Sequence, residues 1–67
     1  MLEQKTATIE NLTDRERCVA ALIVKGFNRE QMATELVVSA HTIRNHIASI
    51  LKKSNCKNQR EFIVKYL

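Results

Sequence analysis

The sequence predicts an all-α domain, and three observations carry that expectation. The 67 residues include no proline and a single glycine, so little in the chain interrupts a helix. Apolar residues recur at three- and four-residue spacing, with no sustained alternation of the kind a half-buried strand needs. Cap signatures divide the chain four times, which predicts helices over about 14–25, 29–36, 40–53 and 59–66. A chain of this length buries only about 60% of its unfolded surface, so tight helix packing or self-association is expected to support it.

The first helix opens at Thr13, with Glu16 three residues on as the second half of a capping box. Its apolar stripe is read as Cys18, Val19, Leu22 and Ile23, and Gly26 ends it because glycine takes a left-handed cap without strain. Asn28 and Gln31 repeat the cap pattern for a second helix, whose inner face is Met32, Ala33 and Leu36. Only Val37 and Val38 separate it from the next cap, Ser39. Two helices joined so tightly form a helix-turn-helix, with the small Ala33 at the crossing and Val38 plugging the turn. Asn55 and Asn58 mark the next break, and Asn58 with Glu61 caps a fourth helix bearing Phe62, Ile63, Tyr66 and Leu67. Residues 1–11 show neither cap nor stripe and are expected to be a flexible arm before a domain of residues 12–67, with Leu2 or Ile9 as its candidate core contacts.

The third helix is the informative one. Ile43, Ile47, Ile50 and Leu51 recur at helical spacing toward a core, leaving His41, Arg44, Asn45, Ala48 and Lys52 outside. No acidic residue occurs between Ser39 and Lys53, so Arg44, Lys52 and Lys53 are unopposed along the helix. Solvated helices ordinarily mix both signs; this face expects a polyanion. The charge of the whole chain agrees with that placement. Residues 39–67 carry six Lys/Arg against one Glu, whereas residues 1–38 carry five against six Asp/Glu, and the net charge is +4.

Other function classes are disfavoured. His41 and His46 lie on different helix faces with no Cys, Asp or Glu beside them, which does not suit a metal site. His46 is expected to be a half-buried packing residue. The chain has no glycine-rich phosphate loop and no activated nucleophile pattern, so neither an enzyme nor a cofactor is expected. Cys18 and Cys56 sit at no metal-ligand spacing and are expected to be buried small apolar groups. No apolar run approaches the ~18 residues that span a bilayer and no signal-peptide pattern opens the chain, so a cytoplasmic location without membrane attachment is expected.

Leu12, Thr13, Arg15, Glu16, Val19, Gly26, Ala33, Leu36, Ser39, Thr42, Ile43, Arg44, His46, Ile50, Lys53, Lys57, Asn58 and Glu61 together resemble the LuxR/GerE-type helix-turn-helix domain of bacterial transcription regulators. The resemblance covers about residues 12–64 without a gap. It implies a four-helix domain binding double-stranded DNA as a homodimer on an inverted repeat, the third helix in the major groove and the fourth pairing with its symmetry mate. Cys18, Glu30, Ser54, Asn55 and Gln59 depart from the family pattern, where Glu, Lys, Leu, Gly and Arg are usual. Glu30 puts in question a phosphate contact that the family's basic residue implies on the second helix, and Ser54 weakens the apolar seam between the third and fourth helices.

Arg44 is the leading base-reading candidate, because its guanidinium can donate twice to guanine O6 and N7; the resemblance places it at the same role. Asn45 has the donor and acceptor suited to adenine, Ala48 falls at a reading position by resemblance and suits a thymine methyl, and His41 lies at the edge of the same face. Thr42, Lys52, Asn28 and Arg29 are expected on the phosphate backbone, where they position the protein without reading sequence. Phe62, Ile63 and Tyr66 offer more apolar surface than a short helix needs and form the candidate dimer face. An alternative stays open: a protein-interaction module of the same fold that holds another regulator or RNA polymerase.

Overall fold

The computed structural model describes residues 12–66. They form four helices: α1 Asp14–Val24, α2 Arg29–Leu36, α3 Ala40–Ser54 and α4 Gln59–Tyr66. Each starts where the sequence places it, and α1 ends one residue earlier and α3 one residue later than expected. The proposed arm at residues 1–11, with Leu2 and Ile9, and Leu67 lie outside the described residues.

The starts are fixed by side-chain caps. Thr13 Oγ1 accepts from Glu16 N at 3.1 Å while Glu16 Oε1 accepts from Thr13 N at 3.0 Å, and Asn28 and Gln31 make the same reciprocal pair at 2.8 Å each way. At α3 the Ser39 hydroxyl accepts from Thr42 N at 3.1 Å. The α4 cap is a variant, with Asn58 Oδ1 accepting from Glu61 N at 2.9 Å but the Glu61 carboxylate reaching one residue further back, to Lys57 N at 2.8 Å. Each cap satisfies a backbone donor that the helix itself cannot.

The first three helices also end alike. Gly26, Val37 and Asn55 adopt positive φ (92°, 56° and 61°), and the residue after each donates its N–H back to a helical carbonyl: Phe27 to Leu22, Val38 to Ala33 and Cys56 to Leu51, at 3.0, 3.0 and 2.9 Å. This is the Schellman closure, whose following side chain turns inward, and Phe27, Val38 and Cys56 all pack on the core. Glycine and asparagine tolerate the left-handed conformation; Val37 does not. A β-branched residue there is strained by about 1–2 kcal/mol, and its side chain is 87% exposed, so packing returns nothing. Val37→Gly is expected to stabilise the domain by about 0.5–1 kcal/mol, the strain released less the added unfolded-state entropy, raising the melting temperature by several degrees in calorimetry.

α3 lies at the centre, packed on α1, α2 and α4. Val19, Ile23, Met32, Ile43, Ile50 and Phe62 are its fully enclosed side chains, with Leu12, Ala20, Leu22 and Ile47 completing the core. Ala33 is half-buried against that core.

Three expectations are corrected. Cys18 is exposed, because at about 100° per residue it lies some 200° round α1 from Glu16, which together with Val19, Ala20 and Ile23 faces inward. Cys56 is half-buried against the core. Ser54 does not loosen the join between α3 and α4. It is 4% exposed, its hydroxyl donates to Leu51 O at 3.3 Å, and its carbonyl accepts from Lys65 Nζ at 3.0 Å, so a polar clasp occupies the seam. Phe62 is 0% exposed, so it belongs to the protomer's own core and offers no surface to a partner.

Candidate nucleic-acid interface

Ile43, Ile47 and Ile50 anchor the inner side of α3 in the core, and this fixes which side chains face outward. His41, Arg44, Asn45, Ala48 and Lys52 are all exposed. Their spacing of three, four, seven and eleven residues from His41 confines them to about 100° of arc, one stripe along the helix. Thr42, half-buried at the start of α3, shares its hydroxyl with Ser39 at 3.0 Å. His46 is half-buried.

The N-terminus of α2 meets this stripe. Arg29, Glu30, Ala40, His41 and Arg44 line a single shallow cleft between the two helix starts. Asn28, exposed beside it, commits Oδ1 to its cap and keeps the amide nitrogen as a donor. Positive partial charge gathers at both helix starts, and α3 carries no acidic residue in its first turn. Glu30 is the acidic residue in the first turn of α2 and gives this cleft a carboxylate amid two arginines and a histidine. The arrangement suits a large anion approached by two helix ends at once.

The sequence groups Lys53 with this cationic face, and its partner in the structure corrects the grouping. Its ammonium donates to Glu16 Oε1 at 2.8 Å, and one turn earlier Ser49 Oγ donates to Glu16 Oε2 at 2.7 Å. Glu16 thus serves two helices at once, as cap of α1 and anchor of α3. Burial pushes its carboxyl pKa up, but hydrogen bonds from Lys53, the Thr13 N–H and Ser49, with the Lys53 charge, outweigh that and leave it at about 2. The sequence showed Glu16 only as a cap residue. The missed signal was its position in the buried stripe with Val19 and Ile23, where a carboxylate requires partners.

On α4, Ile63 and Tyr66 are half-buried against the core, while Val64, absent from the expected dimer face, is 75% exposed. Lys65 Nζ, tied to Ser54 O, also lies 5.6 Å from the Tyr66 ring centre, and the Phe62 and Tyr66 rings stack tilted at 4.8 Å. Among the described residues no three His, Cys, Asp or Glu side chains gather in a way that could hold a metal ion. None of the described helices is long and apolar enough to cross a membrane.

Comparison with known proteins decides the family. Residues 10–66 match the family of bacterial regulatory proteins described as luxR. The chain belongs to the LuxR family. Among its relatives, the HTH-type transcriptional regulator MalT of Vibrio campbellii is 47% identical over 53 residues, 79% of this chain but 6% of MalT. The transcriptional regulatory protein DesR of Bacillus subtilis is 37% identical over 65 residues, 97% of this chain and 33% of DesR. The spore germination protein GerE of Bacillus subtilis is 34% identical over 67 residues, 100% of this chain and 90% of GerE. The chain therefore spans a small fraction of MalT, a third of DesR and nearly all of GerE. No solved structure matches it significantly. As a LuxR-family helix-turn-helix domain, it is of the DNA-binding kind that transcription regulators carry.

Proposed function

We propose that this domain binds duplex DNA sequence-specifically as a transcription regulator, with α3 in the major groove. The observation that carries the reading is the exposed, carboxylate-free stripe His41–Arg44–Asn45–Ala48–Lys52, backed by three buried isoleucines and flanked by the start of α2. The major groove admits a helix, and residues near its N-terminus meet base edges first. Arg44, Asn45, Ala48 and His41 take the base-reading roles. Thr42, Lys52, Asn28 and Arg29 hold phosphates, helped by the α2 and α3 N-termini.

Two copies pair through α4 on an inverted repeat, with half-sites about 34 Å, one helical turn, apart. The exposed Val64 beside half-buried Ile63 and Tyr66 supports that face, in place of Phe62. The contact is small, so DNA acts as the template that brings the copies together. Selection of bound sites from randomised duplexes tests the reading: enrichment of a two-fold symmetric motif with that spacing supports it. Equal, weak retention of all sequences would favour the interaction module instead.

Lys52→Ala separates positioning from reading. It is expected to weaken binding to selected and random duplexes alike and to reduce the slope of log affinity against log salt by about 0.9 for each phosphate released. Fluorescence anisotropy across a salt series measures both quantities, and a loss confined to the selected duplex would reassign Lys52 to base contact.

A further inference from the structure

Apolar packing between α1 and α3 sets the rotation of α3 less sharply than directional bonds do. Val19, Ile23, Ile43, Ile47 and Ile50 hold the helices together through non-directional contact, which tolerates small rotation of α3 about its own axis. Rotation matters because the outward groups lie about 5–6 Å or more from that axis, so a turn of about 20° shifts them by about 2 Å. Productive recognition geometry tolerates roughly 0.5 Å and 10–20°.

Directional bonds restrict that rotation further, and between α1 and α3 one set is present. Glu16, its side chain 8% exposed, accepts from Ser49 Oγ at 2.7 Å and Lys53 Nζ at 2.8 Å, and is itself held to the α1 backbone through Thr13 N at 3.0 Å. Ser49 and Lys53 are one turn apart on the flank of α3 that borders the outward stripe. Two bonds at successive turns, converging on one carboxylate, restrain the rotation and axial register of a helix more than a single bond would. The anchoring carboxylate is itself pinned by its cap, so the reference frame is α1 rather than a mobile side chain.

We propose that Glu16 is a positioning residue for sequence readout: through Ser49 and Lys53 it sets the angle at which α3 presents Arg44 and Asn45 to base edges. The inference rests on the DNA-binding reading above. Phosphate contacts, made by flexible side chains, tolerate a rotated helix; paired hydrogen bonds to bases do not. Loosening the anchor therefore reduces discrimination more than overall affinity.

The test uses the 67-residue chain and two probes, a duplex obtained from the site selection and a random duplex of equal length. Glu16→Gln and Ser49→Ala are each compared with the unaltered protein at a temperature where circular dichroism shows full helicity. The ratio of the two affinities is expected to fall about tenfold, with random-duplex affinity changed less than twofold. Residual dipolar couplings should report a changed α1–α3 orientation or increased motion of α3. A merely structural role would lower the melting temperature and leave the ratio for folded protein unchanged, which overturns the proposal while leaving the DNA reading intact. Should Glu16→Gln fail to fold, Ser49→Ala, which keeps the ion pair, decides the matter. If the unaltered chain itself shows no preference for any selected duplex, the DNA reading fails and this proposal with it.

Discussion

Glu16→Ala is expected to destabilise the domain by about 2–3 kcal/mol, less than the loss of a fully buried ion-pair partner because the Lys53 ammonium left behind is 30% exposed and regains water. The whole stability of a domain this size is about 3–10 kcal/mol, so the variant should lose a large fraction of it. Three losses combine: the α1 cap loses its acceptor for Thr13 N, Ser49 loses its partner, and Lys53 loses its carboxylate. The ion pair also makes a pH prediction. The folded carboxyl, at about 2, lies below its ordinary value of 4.5, so its contribution is fully present above pH 4.5 and is lost as the pH falls toward 2. Because Lys53 is 30% exposed and partly screened, that contribution is about 2 kcal/mol rather than the full equivalent of the shift. Urea unfolding from pH 7 to pH 2 should show a stability loss in the natural chain that Glu16→Gln lacks. Parallel curves would mean that the bonds drawn around Glu16 carry little energy.

What the sequence revealed and what it concealed divide along the distinction between local and long-range interactions. Thr13, Asn28, Ser39 and Asn58 act within three residues of themselves, so their caps located every helix start. Isoleucine spacing then oriented α3, because a buried stripe determines its opposite face. The Glu16 contacts with Ser49 and Lys53 span 33 and 37 residues, so the buried position of Glu16 signals that it needs partners without naming them. For the same reason Lys53 appeared as a free-standing charge of the outer face, and Ser54 as a flaw in an apolar seam. Phe62 shows the limit of amphipathicity within one helix, since the pattern of α4 identifies an apolar face without dividing it between core and partner. Ile63 and Tyr66 remain at its edge, and Val64 lies beyond it.

Arg44→Ala is expected to cost about 1–3 kcal/mol on a selected duplex, about five- to 150-fold in affinity, and far less on random sequence. Arg44 is exposed at the second turn of α3, beside His41 in the cleft that also holds Arg29 and Glu30, so its guanidinium is free to extend from the helix toward a groove. Its place in the outward stripe with Asn45 and Ala48 favours this outcome over a phosphate role. Arg44→Lys sharpens the comparison: it keeps the charge but loses the planar fork that reaches guanine O6 and N7 together, so random-duplex affinity should hold while selectivity falls. Repeating the site selection with Arg44→Ala should flatten preference at one position of each half-site and leave the others standing. If Arg44→Ala instead behaves like Lys52→Ala, weakening every duplex equally and reducing the salt slope, Arg44 is a phosphate ligand and base reading must be sought at Asn45 and Ala48.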